Sequence, residues 1–163
     1  MAPQPGIIQR TEQPYVAIRA LVTMQTIGRV LPGLLPEVSS WLSSQGVHPA
    51  GPPFFKFNVI DMERQLEVEV GFPVAAAMTG DDQVLAGVLP PGRYATLQHT
   101  GHPDGLIDAT RTLLDWAAQQ GLAFDVEETS DGDRWAARLE IYQADPPPDM
   151  DAWETELAFR LAG

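Results

Sequence analysis

The short stretch Glu140-Ile141-Tyr142 carries the clearest chemistry in the sequence. Side chains on a β-strand alternate between faces, so Glu140 and Tyr142 share the face opposite Leu139 and Ile141. A carboxylate held among apolar groups there either has a raised pKa or attracts a cation. Glu67 and Glu69, on another alternating stretch, offer the same chemistry at a second place. Aromatic rings close to such a carboxylate suit a flat cation, through stacking and cation–π attraction. Trp135 and Trp153 lie near the Glu140 stretch and outside the helical patterns. Trp41 and Trp116 fall at helix ends, where core and pocket wall are both open readings.

Other chemistries find less support. His99 and His102 flank Thr100-Gly101 in an expected strand-to-helix loop, and no third ligand follows in sequence, so loop histidines rather than a metal site are expected. His48 stands alone. Gly92, Gly101 and Gly105 have neither dinucleotide nor phosphate-loop spacing, and no G-x-S-x-G elbow is present. The chain has no cysteine, which excludes disulfides, thiolate ligands and cysteine nucleophiles. No cofactor is expected.

The elements that must position Glu140 and Tyr142 follow from periodicity. Gln65 to Phe72 alternates, with Leu66, Val68, Val70 and Phe72 on one face and Glu67 and Glu69 on the other. Strands are also expected at Phe54–Ile60, which contains Phe57, and at Gly92–Leu97, Arg138–Tyr142 and Thr155–Leu161. Leu106, Ile107, Thr110, Leu113, Leu114 and Ala117 recur at the helical period, with Pro103 in the first turn and Gly121 closing the helix. An earlier helix carries Leu31, Leu34, Leu35, Val38, Trp41 and Leu42 and closes at Gly46. Proline inside a helix removes a backbone bond, so the regular part is expected after Pro36. Ser130-Asp131-Gly132-Asp133 reads as a hairpin tip, Thr79-Gly80-Asp81-Asp82 as a loop, and Asp145-Pro146-Pro147-Pro148-Asp149 as a stiff link.

Two stretches read alike. Tyr15 and Tyr94 sit in equivalent strands, and Trp41 and Trp116 each lie five residues before Gly46 and Gly121. The expected architecture is α+β: two tandem strand-helix-strand-strand modules, residues 7–79 and 80–163 of a single domain spanning 1–163, related by a pseudo-twofold axis. They build one antiparallel sheet with both helices on one face, the other face being left to solvent or a ligand. With the helices on the Leu139 side, Glu140 and Tyr142 look into the open concavity between the modules.

Composition bounds the function. The chain has 163 residues, 44% hydrophobic and 20% charged, which is globular. No apolar run approaches the ~20 residues of a membrane span, and the start lacks a secretory signal, which makes the cytoplasm the default location. A net charge of -12, from 22 acidic and 10 basic residues, repels phosphate backbones and anionic lipids. Direct nucleic-acid binding and membrane association are not expected; cationic small molecules or a basic protein surface are the favoured partners.

The run Leu89-Pro90-Pro91-Gly92-Arg93-Tyr94-Ala95, His99-Thr100-Gly101, Leu113-Leu114-Asp115-Trp116, Leu139-Glu140-Ile141-Tyr142, Asp145-Pro146 and Thr155-Glu156-Leu157 resembles the GyrI-like domain, the effector-binding domain of AraC-type and MerR-type multidrug regulators. The resemblance spans about residues 12 to 161 and is closer in the second half. It implies a pocket between the two modules in which the Glu of the Glu-x-Tyr strand, here Glu140, meets lipophilic cationic drugs. The expected ligand-binding set is Glu140, Tyr142, Tyr94, Trp116, Trp135, Trp153, Phe57 and Phe72. Two features depart from the family pattern. There is no helix-turn-helix extension, so a stand-alone multidrug-binding module is expected rather than a DNA-reading regulator. The last strand ends Ala158-Phe159-Arg160-Leu161 instead of in a Pro-ended apolar run. Two alternatives stay open. One is a hydrolase of strained, electrophilic cyclopropane-bearing natural products, with Glu140 as general acid or base beside Tyr142. The other is an acidic protein-interaction module of the DNA gyrase-inhibitor type.

Overall fold

A computed structural model describes residues 4–163. The chain runs β1 (Gly6–Arg10), β2 (Gln13–Val22), α1 (Ile27–Ser44), β3 (Phe54–Ile60), β4 (Leu66–Pro73), β5 (Leu85–Leu89), β6 (Gly92–Thr100), α2 (Leu106–Gln119), β7 (Val126–Thr129), β8 (Gly132–Trp135), β9 (Arg138–Tyr142) and β10 (Glu154–Arg160). Short 3₁₀ turns at Pro103–Gly105 and Met150–Ala152 lead into α2 and β10. Among the described residues no helix is long and apolar enough to cross a membrane.

All strands join one antiparallel sheet in the order β1-β6-β10-β9-β3-β4-β2-β5, with the β7–β8 hairpin attached beside β3. Two links dictate its shape. Thr11-Glu12 connects β1 to β2, and Pro90-Pro91 connects β5 to β6, although each pair lies near opposite ends of the sheet. In a flat sheet β1 and β2 would stand roughly 29 Å apart. A two-residue link reaches about 11 Å at most. The sheet therefore curls until its ends meet.

Curling buries the inner face. Tyr15, Phe54, Leu89, Tyr94, Leu139 and Ala158, drawn from strands all along the sheet, form one core cluster there. Both helices lie on the outer face. A line of paired residues, Ile18-Val70-Phe55-Glu140-Leu157-Leu97, crosses that face from β2 to β6. Ile18 and Val70 pack with α1, and Leu157 and Leu97 pack with α2. The expectation that the helices cover the Leu139 side is thus corrected. They cover the Glu140 side, and Glu140 stands midway between them. Around this cluster the two-residue links close the inner face, whereas at the end of β2 its residues Arg19 and Leu21 stay exposed.

Helix α1 departs from the sequence reading by starting at Ile27 and running through Pro32 and Pro36. The two prolines are one helical turn apart, so the missing N–H groups fall on one side. Leu31, Val38, Trp41 and Leu42 on the other side are buried against the sheet, which holds the helix where its own bonds are missing. Both helices close as expected, at Gly46 and Gly121, each with φ near +70°. Strands β1, β5, β7 and β8 extend the expected set. The first two exchange sides: β1 pairs with β6 of the second half, and β5 with β2 of the first.

Candidate functional site

Between α1 and α2 the outer face carries a cavity of about 880 Å³. Its floor is formed by β3, β4 and β9, which supply Phe55, Phe57, Phe72, Arg138, Glu140 and Tyr142. One wall is the Gly28, Pro32, Pro36 side of α1, and the opposite wall comes from α2 and its leading turn, with Leu106 and Ile107. The link before β10 closes one end with Pro146, Met150 and Trp153. The indole N–H of Trp153 donates to the Pro147 carbonyl at 2.7 Å, so this proline-rich segment is tied to the ring it presents.

Glu140 is the carboxylate at the middle of this floor. The Tyr142 hydroxyl donates to its Oε1 at 2.5 Å, two residues along the same strand face. The Tyr142 ring in turn packs on Phe55, centroid to centroid 4.8 Å. Burial pushes the Glu140 pKa up from its ordinary value, and the Tyr142 hydrogen bond and the Arg138 charge only partly counter this. Burial, and then the neighbouring Glu140 charge, push the Tyr142 phenol upward as well. The group is a carboxyl whose negative charge lacks a close counterion, facing an apolar hole. That arrangement can bind a cation or exchange a proton.

The residues expected from sequence divide between the cavity and the core. Glu140, Tyr142, Trp153, Phe57 and Phe72 line the cavity together. Tyr94 does not: it is fully buried on the inner face, where its hydroxyl donates to the Pro90 carbonyl at 2.7 Å. Trp135 packs edge-on to Phe159, 5.7 Å between centroids, in the core beneath α2. Trp116 packs against that same core from α2. Each carries aromatic surface that the curled sheet and α2 use for packing. Among the histidines, His102 reaches the cavity rim while its Nδ1 accepts the Asp104 backbone N–H at 3.0 Å, and His99 Nε2 lies 3.0 Å from the His102 carbonyl. Glu67 and Glu69, the other carboxylates noted in sequence, lie on the inner face, and Glu69 is the buried one. It is buried against Lys56, Asn58 and Tyr15.

Several cavity residues escaped the sequence reading. Pro32 and Pro36 read there as helix breakers, and Phe55 as one residue of an expected strand. Arg138 was legible: the alternation that places Glu140 and Tyr142 together places Arg138 on the same face. Its guanidinium lies over the rings of Trp135 and Phe159, at 4.7 and 4.6 Å from their centroids.

Comparison with known proteins follows this geometry. The profile of the GyrI-like small molecule binding domain matches residues 3–161. No curated protein sequence matches the chain. EcmrR, solved by cryo-EM in a complex with DNA, is similar in structure with a TM-score of 0.76 at 19% identity, over 99% of this chain and 58% of that one. The chain thus spans little more than half of that relative. The crystal structure of the EcmrR C-terminal domain gives 0.73 at 17% identity, over 99% of both chains. SAV2435, solved bound to tetraphenylphosphonium, gives 0.63 at 10% identity over 98% of this chain and 94% of that one. A hydrolase from Listeria innocua gives 0.66 at 13% identity over 98% and 92%. At these identities the structural likeness is one of fold, whereas the profile match covers nearly the whole sequence. The chain belongs to the GyrI-like small molecule binding domain family.

Proposed function

We propose that the cavity between α1 and α2 binds lipophilic, mostly cationic or aromatic small molecules, with Glu140 as the charge partner. One observation carries the reading: a half-buried carboxyl with a raised pKa, held by a single phenol, on the floor of an aromatic cavity of about 880 Å³. That volume suits a drug-sized ligand. Phe55, Phe57, Phe72, Tyr142 and Trp153 offer ring faces without directional demands, which favours loose selectivity. The tetraphenylphosphonium in the SAV2435 structure is a lipophilic cation bound by a protein of the same fold.

The test is a fluorescence titration of rhodamine 6G into the parent and Glu140→Gln. Parent binding is expected at micromolar affinity. The variant should bind about 10- to 150-fold more weakly, equivalent to about 1.5–3 kcal/mol for a contact to a charged group. Nile red, which is neutral, should bind both proteins alike. Rhodamine binding within twofold of the parent would remove Glu140 as the charge partner.

The raised pKa of Glu140 also favours a second reading, as the acid–base group of a hydrolase. Turnover of a cyclopropane-bearing electrophile that stops in Glu140→Gln would support it. Absence of turnover by the parent would count against it.

A further inference from the structure

We propose that Arg138 is a second charged pole of the cavity, an anion-binding position that makes zwitterionic amphiphiles better ligands than simple cations. The inference rests on the reading of the cavity as the ligand site, and changes what that site selects.

Arg138 sits two residues before Glu140 on β9, on the same outer face, and lines the cavity with it. Its guanidinium carbon lies 4.7 and 4.6 Å from the ring centroids of Trp135 and Phe159. Such cation–π contacts supply no hydrogen-bond acceptor to the guanidinium N–H groups. No described residue pairs with them. Arg10 and Arg160, by contrast, are paired with Glu156 and Asp125. None of the Arg138 nitrogens is fully buried without a partner, as Arg10 Nε is. Glu140, whose Oε1 is taken by the Tyr142 hydroxyl, and Asp133 act on the Arg138 charge only at a distance. Asp104, Glu154 and His102 lie elsewhere on the cavity lining. Burial pulls the Arg138 pKa down to about 10, which leaves it charged at neutral pH.

Partly buried donors without acceptors are costly, and a ligand carboxylate, sulfonate or phosphate satisfies several of them at once. A ligand with only a positive charge is drawn by Glu140 and repelled by Arg138. One that also carries an anion turns that repulsion into attraction. The two Cα positions stand roughly 6.6 Å apart along the strand, which suits a ligand whose charges are separated by a few methylenes.

The experiment compares two probes of one chain length by calorimetry, below their micelle concentrations: decyltrimethylammonium and the zwitterion decyldimethylammonio-propanesulfonate. The parent should bind the zwitterion at least fivefold more tightly. Arg138→Met should erase that preference while cation binding stays equal or tightens. Arg138→Lys, which keeps the charge, should retain part of the preference. Arg138→Gln replaces the Met variant if thermal melting shows that variant unfolded. Equal binding of both probes by the parent, or a preference that survives loss of the charge, overturns the proposal and leaves the cation reading standing. Binding of the zwitterion alone supports Arg138 and overturns the cation reading. Binding of neither probe overturns both.

Discussion

Lys56 is the only lysine in the chain, and it is buried on the inner sheet face. Its Nζ donates to Asn58 Oδ1 at 2.5 Å and lies 3.5 Å from Glu69 Oε2. Glu69 also accepts the Tyr15 hydroxyl at 2.5 Å and the Asn58 amide. Replacing Lys56 with Met keeps the stem and removes the charge. Two unit charges at 3.5 Å attract by about 5 kcal/mol at an effective dielectric of about 20. Removing one partner strands the other charge in the interior, and such changes cost about 3–5 kcal/mol. The prediction is a loss of that size at pH 7, read from urea unfolding with an unchanged slope. The companion variant isolates the cause. In Lys56→Met/Glu69→Gln the glutamine oxygen still accepts from Tyr15, and a flip of the Asn58 amide turns the oxygen that Lys56 has released toward the glutamine NH2. Most of the loss should return, to within about 1–2 kcal/mol of the parent. A loss below about 1 kcal/mol for the single variant would mean that the pair is screened like a surface ion pair. A double variant no better than the single one would mean that Lys56 acts through packing and not through charge.

Further outcomes concern the cavity and the sheet. Glu140→Gln should stabilise the ligand-free protein at neutral pH. The folded carboxyl binds its proton more tightly than the ordinary 4.5 of the unfolded chain, so the parent loses stability as pH rises above that value towards the folded pKa. Urea midpoints should therefore diverge through that window and converge below pH 4.5. Tyr142→Phe removes the hydroxyl that holds the Glu140 pKa down, so the pH at which rhodamine 6G binding strengthens should move upward. Gly71→Ala should abolish soluble expression, because its Cβ would sit 2.1 Å from the Val16 carbonyl oxygen and 2.7 Å from the Ala17 Cβ. Gly28→Ala, with nothing within 4 Å of its Cβ, should instead stabilise α1 by about 0.5–1 kcal/mol in thermal melts.

Local periodicity made much of this protein legible. Alternation along Gln65–Phe72 and Arg138–Tyr142 sorts the faces as the pairings show, and the glycines at 46 and 121 end the helices where the left-handed conformation is needed. What sequence could not give was which face the helices cover. That depends on the curl, and the curl depends on links between strands whose neighbours are far away in the chain. Without it, Glu140 could be paired with Tyr142 but not set on the helix side. The aromatic residues failed for a related reason: Tyr94 and Trp135 are rings that either a core or a cavity could use, and only the curled sheet decides. The prolines of α1 misled because the backbone bonds they remove lie on the side opposite the residues that pack against the sheet.

The placement of β6 bears on how much of the chain's linear order matters. β6 has β1 on one side and β10 on the other, with Gly6 and Ala158 both opposite Thr96. The first and last strands therefore stand about 10 Å apart. A short flexible loop could join them. The segment between Val74 and Val84 contains no strand and exposes Ala76, where the chain could be opened. Such a circular permutant would begin before β5 and end after β4, keeping the links at Thr11-Glu12 and Pro90-Pro91 and every strand pairing intact. It should fold and keep its cavity, because both closing links lie away from the new ends.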